Sequence, residues 1–202
     1  MRVLILSHYY DPEPIPKPSE LAQELKKRGH EVFVITGLPN YPSGVLYPGF
    51  RLALIHEEQR NGIPVVRTFE FPYHSRSSLG RVLNYVSFMF SSLLGALLTP
   101  RCDVIYAWHP PLTIGVAAVL ISLIKRAPFV YDVQDIWPES IVLAGWRLSP
   151  WMVRAMHWME RFVYKHAERI LVVTEGAKRN LVEKGVVADK VVIASHWIDE
   201  KL

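Results

Sequence analysis

A few short segments of the sequence hold most of the side chains able to do chemistry. They are Ser7-His8-Tyr9-Tyr10-Asp11, Thr36-Gly37-Leu38-Pro39-Asn40-Tyr41, Trp108-His109-Pro110, the run from Asp132 to Glu139, and Thr174-Glu175-Gly176. Each follows an apolar run. Aromatic rings beside hydrogen-bonding groups suit a carbohydrate, whose ring has apolar faces and hydroxyl edges. The histidines are dispersed and share no ligand spacing, so no metal site is expected. A histidine after a strand can equally be a hydrogen-bonded structural residue, and both readings stand for His8 and His109. Trp137 and Pro138 could simply cover a sheet edge, and Asp132 could close a turn. Asp135 precedes a Trp-Pro-Glu turn among polar loops and is the carboxylate expected to reach a ligand.

Those segments need a scaffold, and the pattern supplies one. Val3–Leu6, Glu31–Thr36, Pro64–Arg67, Asp103–Tyr106, Phe129–Tyr131, Arg169–Val173 and Val191–Ile193 read as strands separated by helical stretches. Near-continuous apolar strands imply a parallel sheet covered by helices on both faces. The expected fold is α/β: a Rossmann-like three-layer domain with a mostly parallel sheet of about seven strands. Its first helix has marked ends. Pro18 suits a first turn, Leu21 and Leu25 share a face, Glu24 can pair with Arg28, and Gly29 suits the left-handed stop. The stretches 37–61 and 71–78 read as long loops, and in such sheets ligands bind at the carboxyl ends of strands.

Composition narrows the classes. The chain has 202 residues, half of them hydrophobic, enough for one core. Cys102 is the only cysteine, so no disulfide forms within the chain, which suits a reducing compartment. The apolar start, Met1 to Ser7, is too short for a signal peptide and reads as a buried strand, which points to the cytoplasm. A net charge of +4 and a pI near 9.2 admit an anionic partner, but no dense basic run or zinc-finger spacing supports nucleic acid. Residues 82–98 carry no charge but include Asn84, Ser87, Ser91 and Ser92, so a sheet-packed helix is expected, with surface attachment to a membrane as the alternative.

Several motifs resemble one family. Gly29-His30-Glu31-Val32 is similar to the entry to the second strand in retaining family-four glycosyltransferases of the GT-B fold. The segments Thr36 to Gly44 and Asp132 to Ser140, with Arg81-Val82-Leu83-Asn84-Tyr85 and Ser87-Phe88, resemble a bacterial subgroup that builds surface polysaccharides. This resemblance implies two Rossmann-like domains facing across a cleft. Residues 1–195 would be the acceptor-side domain, and 196–202 the start of a crossover to a C-terminal donor-binding domain. The reaction would move a sugar from a nucleoside-diphosphate sugar, as co-substrate, to a saccharide acceptor, lipid-linked in the reading adopted here, with retention. The transition state would have oxocarbenium character, and a diphosphate would leave. No cofactor is expected in this domain.

The resemblance also assigns roles. Many relatives carry a His-Asp pair after the fifth strand, where this sequence has Gln134-Asp135. Glutamine cannot act as a base, so Asp135 is the expected catalytic residue, orienting the acceptor or taking its proton. Expected acceptor contacts are His8, Tyr9, Asn40, Tyr41, His109, Gln134, Trp137 and Glu139. Expected donor contacts are Pro16, Lys17, Thr174 and Glu175. The glycine pair many relatives carry after the first strand is replaced by Pro14-Ile15-Pro16-Lys17-Pro18, although the helix that follows could still attract phosphate. Ser195-His196-Trp197-Ile198-Asp199 resembles the turn into the second domain, with His196 in place of Asn. The chain ends three residues later, as a separately expressed domain or a fragment would, and 202 residues alone are expected to be inactive. Two rivals remain: a GT-B-type nucleotide-sugar epimerase, and a non-catalytic sugar- or nucleotide-binding module. The missing glycine-rich loop counts against the second.

Overall fold

The computed structural model describes residues 1–74, 77–143, 145–146 and 148–195. The expected crossover at 196–202 lies outside the described residues. In chain order the elements are β1 (Arg2–Ser7), α1 (Lys17–Lys27), β2 (Glu31–Gly37), β3 (Ile55–Arg60), β4 (Ile63–Thr68), α2 (Ser78–Leu98), β5 (Val104–Trp108), α3 (Thr113–Lys125), β6 (Phe129–Val133), α4 (Glu139–Leu143), α5 (Pro150–His166), β7 (Arg169–Val172), α6 (Glu175–Glu183) and β8 (Val191–Ile193). The strands form one sheet in the order β3-β4-β2-β1-β5-β6-β7-β8. All pairings are parallel except β3 with β4.

The expected α/β architecture is present, with an eighth strand inside the stretch read as a loop. β3 is an edge strand of sequence IHEEQR, with charges rather than an apolar run. Its turn to β4 is Asn61-Gly62, where both residues have positive φ, 52° and 69°. A two-residue hairpin of this hand requires that conformation twice, and Asn-Gly accepts it at least cost.

The side-chain alternation of β1 divides the core. Leu4 and Leu6 pack with Phe33, Ile35, Ala107, Tyr131 and residues of α2, α3, α5 and α6. Val3 and Ile5 turn to the other face with Val32, Val34, Val65 and Ala22 of α1. Each such fully buried aliphatic side chain contributes roughly 1.5–3 kcal/mol. The two faces are not equally covered. Over β6 to β8, on the α1 face, Val130 and Leu171 are half-buried and Val192 is exposed. Right-handed crossovers explain this, because every connection running from β4 toward β8 lays its helix on the same side.

α1 has the ends its sequence implies. Pro18 lies in its first turn, Arg28 Nε donates to Glu24 Oε1 at 2.8 Å, and Gly29 takes φ 83°. α2 is long and apolar enough to cross a membrane by length and composition, but only 33% of its most apolar window is buried. Phe88, Ser92 and Ala96 bury one face against the sheet, while Leu79, Leu83, Phe90, Leu94 and Leu97 are exposed.

Candidate functional site

The carboxyl ends of β1, β2 and β4 meet in a closed knot of polar side chains. Glu13 sits in the loop after β1 and accepts from three backbone N–H groups: Tyr41 at 2.8 Å, Asn40 at 3.0 Å and Tyr10 at 3.2 Å. One carboxylate therefore joins the first loop to the loop after β2. Asn40 donates from Nδ2 to Leu38 O at 2.9 Å and to Glu70. Arg67, with no exposed surface, donates to Glu58 Oε1 at 2.6 Å, to Gly37 O at 3.0 Å and to Asp11 O. A Cβ at Gly37 would fall 1.9 Å from Glu70 Oε2, so only glycine leaves room for that carboxylate.

Burial governs protonation here. It pushes Glu13 up to about 7, against the opposing pull of its backbone donors and Arg67. Glu70 is raised well above the usual carboxylate range, first by burial and then by Glu13. His8 Nε2 lies 2.9 Å from Asn84 Oδ1 and 3.3 Å from Glu70 Oε2. Asn84 uses its amide N–H on Phe71 O at 2.8 Å, so its oxygen accepts from a neutral His8. Burial lowers His8 to about 4, and the Asn84 hydrogen bond offsets only part of that.

A belt of rings runs along the sheet edge above this knot. Ring centroids step from Trp137 to Tyr85 (6.1 Å), His8 (5.4 Å), Tyr9 (4.8 Å), Tyr41 (4.9 Å) and His74 (4.6 Å). Trp137, Tyr85, Tyr9 and Tyr41 are half-buried. Trp137 also packs edge-on to His109 at 5.4 Å. Burial lowers His109 to about 3, so it is a neutral ring in the floor of the edge.

The ends of β5 and β6 are built differently. Asp132 is buried at the end of β6 and accepts from Tyr106 Oη and, at 2.6 Å, from Gln134 Nε2. Lys17, at the start of α1, lies within electrostatic reach of Asp132. Asp135 is exposed and has no hydrogen-bond or ion-pair partner among the described residues. It follows Gln134 in the chain, two positions before Trp137, and its carboxylate is open to solvent. Pro16 precedes α1, whose first turn has no side-chain cap.

Of the residues singled out from sequence, His8, Tyr9, Tyr41, His109 and Trp137 come together in or against the belt. Gln134 and Asp135 follow directly on β6. Asn40 lies beneath, its amide held by Leu38 and Glu70. Glu139 does not join them, because its Oε1 is held 2.8 Å from Lys184 Nζ, which also contacts Glu160. Thr174 caps α6, accepting from Ala177 N at 3.1 Å, and Glu175 begins that helix. Glu13, Glu70, Asn84 and Tyr85 were missed. Asn84, Tyr85 and Phe88 share one face of α2 at helical spacing, a signal available from sequence. Among the described residues, no group of three or more His, Cys, Asp or Glu is arranged to hold a metal.

Comparison with known proteins bears on the family and the fold. Residues 18–197 match the family described as glycosyl transferase 4-like domain. A curated relative in Escherichia coli (strain K12), WcaI, carries the name of a colanic acid biosynthesis glycosyl transferase. It is 26% identical over 98% of this chain, and the chain spans 50% of its length. Among solved structures, HepE of Anabaena in complex with UDP-glucose superimposes with a TM-score of 0.59 at 16% identity, over 98% of this chain and 44% of its own. Sucrose-phosphate synthase of Thermosynechococcus elongatus gives 0.67 at 10% identity, over 99% of this chain and 49% of its own. The UDP-GlcNAc 2-epimerase of Methanocaldococcus jannaschii gives 0.51 at 14%, over 96% and 45%. At these identities the structures establish the fold, that of half a GT-B protein.

Proposed function

The chain belongs to the glycosyl transferase 4-like domain family, and from that premise we propose that it is the acceptor-side half of a retaining glycosyltransferase. The other half is a C-terminal donor-binding domain, and the co-substrate is a nucleoside-diphosphate sugar. The acceptor is a lipid-linked saccharide met at the cytoplasmic face of the membrane. The observation that carries this reading is Asp135, exposed and without a hydrogen-bond or ion-pair partner among the described residues, two positions before the half-buried Trp137. An aromatic face stacks on a sugar ring, and a free carboxylate orients or deprotonates the attacking hydroxyl. Lys17 and the uncapped start of α1 supply positive potential suited to the departing diphosphate. The name of the colanic acid relative supports a surface-polysaccharide substrate, and the apolar stripe of α2 supports a membrane-borne acceptor.

Full-length protein given a nucleoside-diphosphate sugar and a lipid-linked saccharide should release the diphosphate nucleotide. The extended product should keep the donor's anomeric configuration by NMR. Interconversion of the nucleotide-sugar without any acceptor would overturn the proposal in favour of an epimerase, a fold relative of which exists.

A further inference from the structure

The helices α2, α3 and α5 lie side by side on one face of the sheet, and the outward surface of α2 and α5 is apolar and basic. On α2, Leu79, Leu83, Phe90, Leu94 and Leu97 recur at helical spacing, and all are exposed. On α5 the outward stripe reads Trp151, Arg154, Trp158, Arg161 and Lys165, again at helical spacing. Trp151 is 66% exposed, and Trp158 stays 58% exposed although its ring stacks on Phe162 at 5.4 Å. Arg154, Arg161 and Lys165 have no ion-pair partner among the described residues. The only acid in the three helices is Glu160, which is buried and held by His157 and Lys184. The acids that flank α5 in the chain, Glu139 and Glu168, are paired with Lys184 and Arg169.

We propose that this helical face is a docking surface for a bilayer of anionic phospholipids. Tryptophan rings interleaved with arginine and lysine on a helix lying flat suit the boundary between headgroups and acyl chains. The rings enter the apolar side, and the cations stay with the lipid phosphates. Charge complementarity therefore selects an anionic surface over a neutral one. The leucines and Phe90 of α2 add apolar area. An apolar groove of about 210 Å³ between α2 and α5 shares Trp151 with the stripe, so the apolar surface runs from one helix to the other. α2 lies on such a surface rather than crossing it, because the sheet holds it. A Cβ at Gly95 would fall 2.8 Å from Thr68 Cγ2, and Ser91 Oγ lies 3.0 Å from Thr68 Oγ1. The proposal rests on the membrane-borne acceptor reading above but is tested without a sugar substrate.

Full-length protein is floated with vesicles of phosphatidylcholine, with and without phosphatidylglycerol. It should float with the mixed vesicles, far less with phosphatidylcholine alone, and less as salt is raised. Brominated acyl chains in the mixed vesicles should quench its tryptophan fluorescence. Arg154→Gln, Arg161→Gln and Lys165→Gln together should lower partitioning to mixed vesicles by roughly a hundredfold, about fivefold per charge. Trp151→Ser with Trp158→Ser should lower it by about tenfold or more. All five side chains are exposed, and a thermal melt matching the parent's shows that each variant is folded. No flotation with mixed vesicles, or flotation that survives both sets of substitutions, would overturn the proposal. A dimer that the tryptophan substitutions abolish, with no vesicle binding, would overturn it in favour of a second copy of the chain. Flotation without sugar transfer would count against the transferase reading alone. Transfer to a detergent-dispersed lipid-linked acceptor without flotation would count against the docking surface alone.

Discussion

The two halves of the sheet edge are made from similar residues put to opposite use. At the ends of β1, β2 and β4, carboxylates and an arginine are buried and spent on one another and on backbone. Glu13 holds three N–H groups and Arg67 bridges Glu58, Gly37 and Asp11. At the ends of β5 and β6, one buried carboxylate, Asp132, is satisfied by Tyr106 and Gln134, while the next, Asp135, is left to solvent. Most buried polar groups of the closed half find their partners within the fold, with His8 Nδ1, Tyr10 Oη and Glu70 Oε2 making no hydrogen bond, so that half serves first as scaffold. The open half keeps bonding capacity in reserve. Rigidity on one side fixes the belt, and the other presents unspent polarity to solvent.

Arg67→Met should have the largest effect on that contrast. Glu58 keeps Arg60, but Gly37 O and Asp11 O lose their buried donor, and each buried acceptor left unsatisfied costs about 1–3 kcal/mol. Urea denaturation should register that loss. A loss below about 1 kcal/mol would mean that the knot is not the scaffold of the edge.

Acid stability separates the halves next. Folded His109 titrates near 3 and the unfolded residue near 6.5, so between these values the unfolded chain binds the extra proton. Stability is then full above the unfolded value and falls as pH drops below it, by up to about 1.4 kcal/mol per pH unit. In the closed half, His8, lowered to about 4, acts in the same direction. Glu13, raised to about 7, acts oppositely, because its folded form holds the proton and gains stability as pH falls from there toward its unfolded value. His8 and Glu13 therefore offset one another, while burial alone sets His109. His109→Phe keeps a ring against Trp137 and Tyr131, and should flatten the acid fall seen by denaturation between about pH 6.5 and 4.5. An unchanged slope would place the acid sensitivity in the closed half instead.

Particular elements explain what the sequence did and did not reveal. The parallel strands were legible because both faces of each carry apolar residues, and α1 because its ends are marked by Pro18 and Gly29. β3 was not, because an edge strand needs no apolar run and its charges resemble a loop. The Asn61-Gly62 turn beside it was the readable clue. At the site, His8, Tyr41 and Trp137 were found because aromatic and polar residues after a strand stand out. Glu13 and Glu70 were not, because a buried glutamate has the same letter as a solvated one. Only tertiary structure sets it under Asn40 and Tyr41. Glu139 shows the converse, where a motif residue is drawn away by a lysine distant in sequence.

The smallest expected change in stability, and the largest in rate, belong to Asp135. Being exposed and unpartnered, it should tolerate Asn within about 0.5 kcal/mol. As the group proposed to orient or deprotonate the acceptor hydroxyl, it should govern turnover. The decisive measurement is kcat of full-length Asp135→Asn with nucleoside-diphosphate sugar and acceptor, beside its thermal melt. A fall of about a hundredfold or more with an unchanged melt is expected. A kcat equal to the parent's would contradict the assignment of the open half as the reacting side.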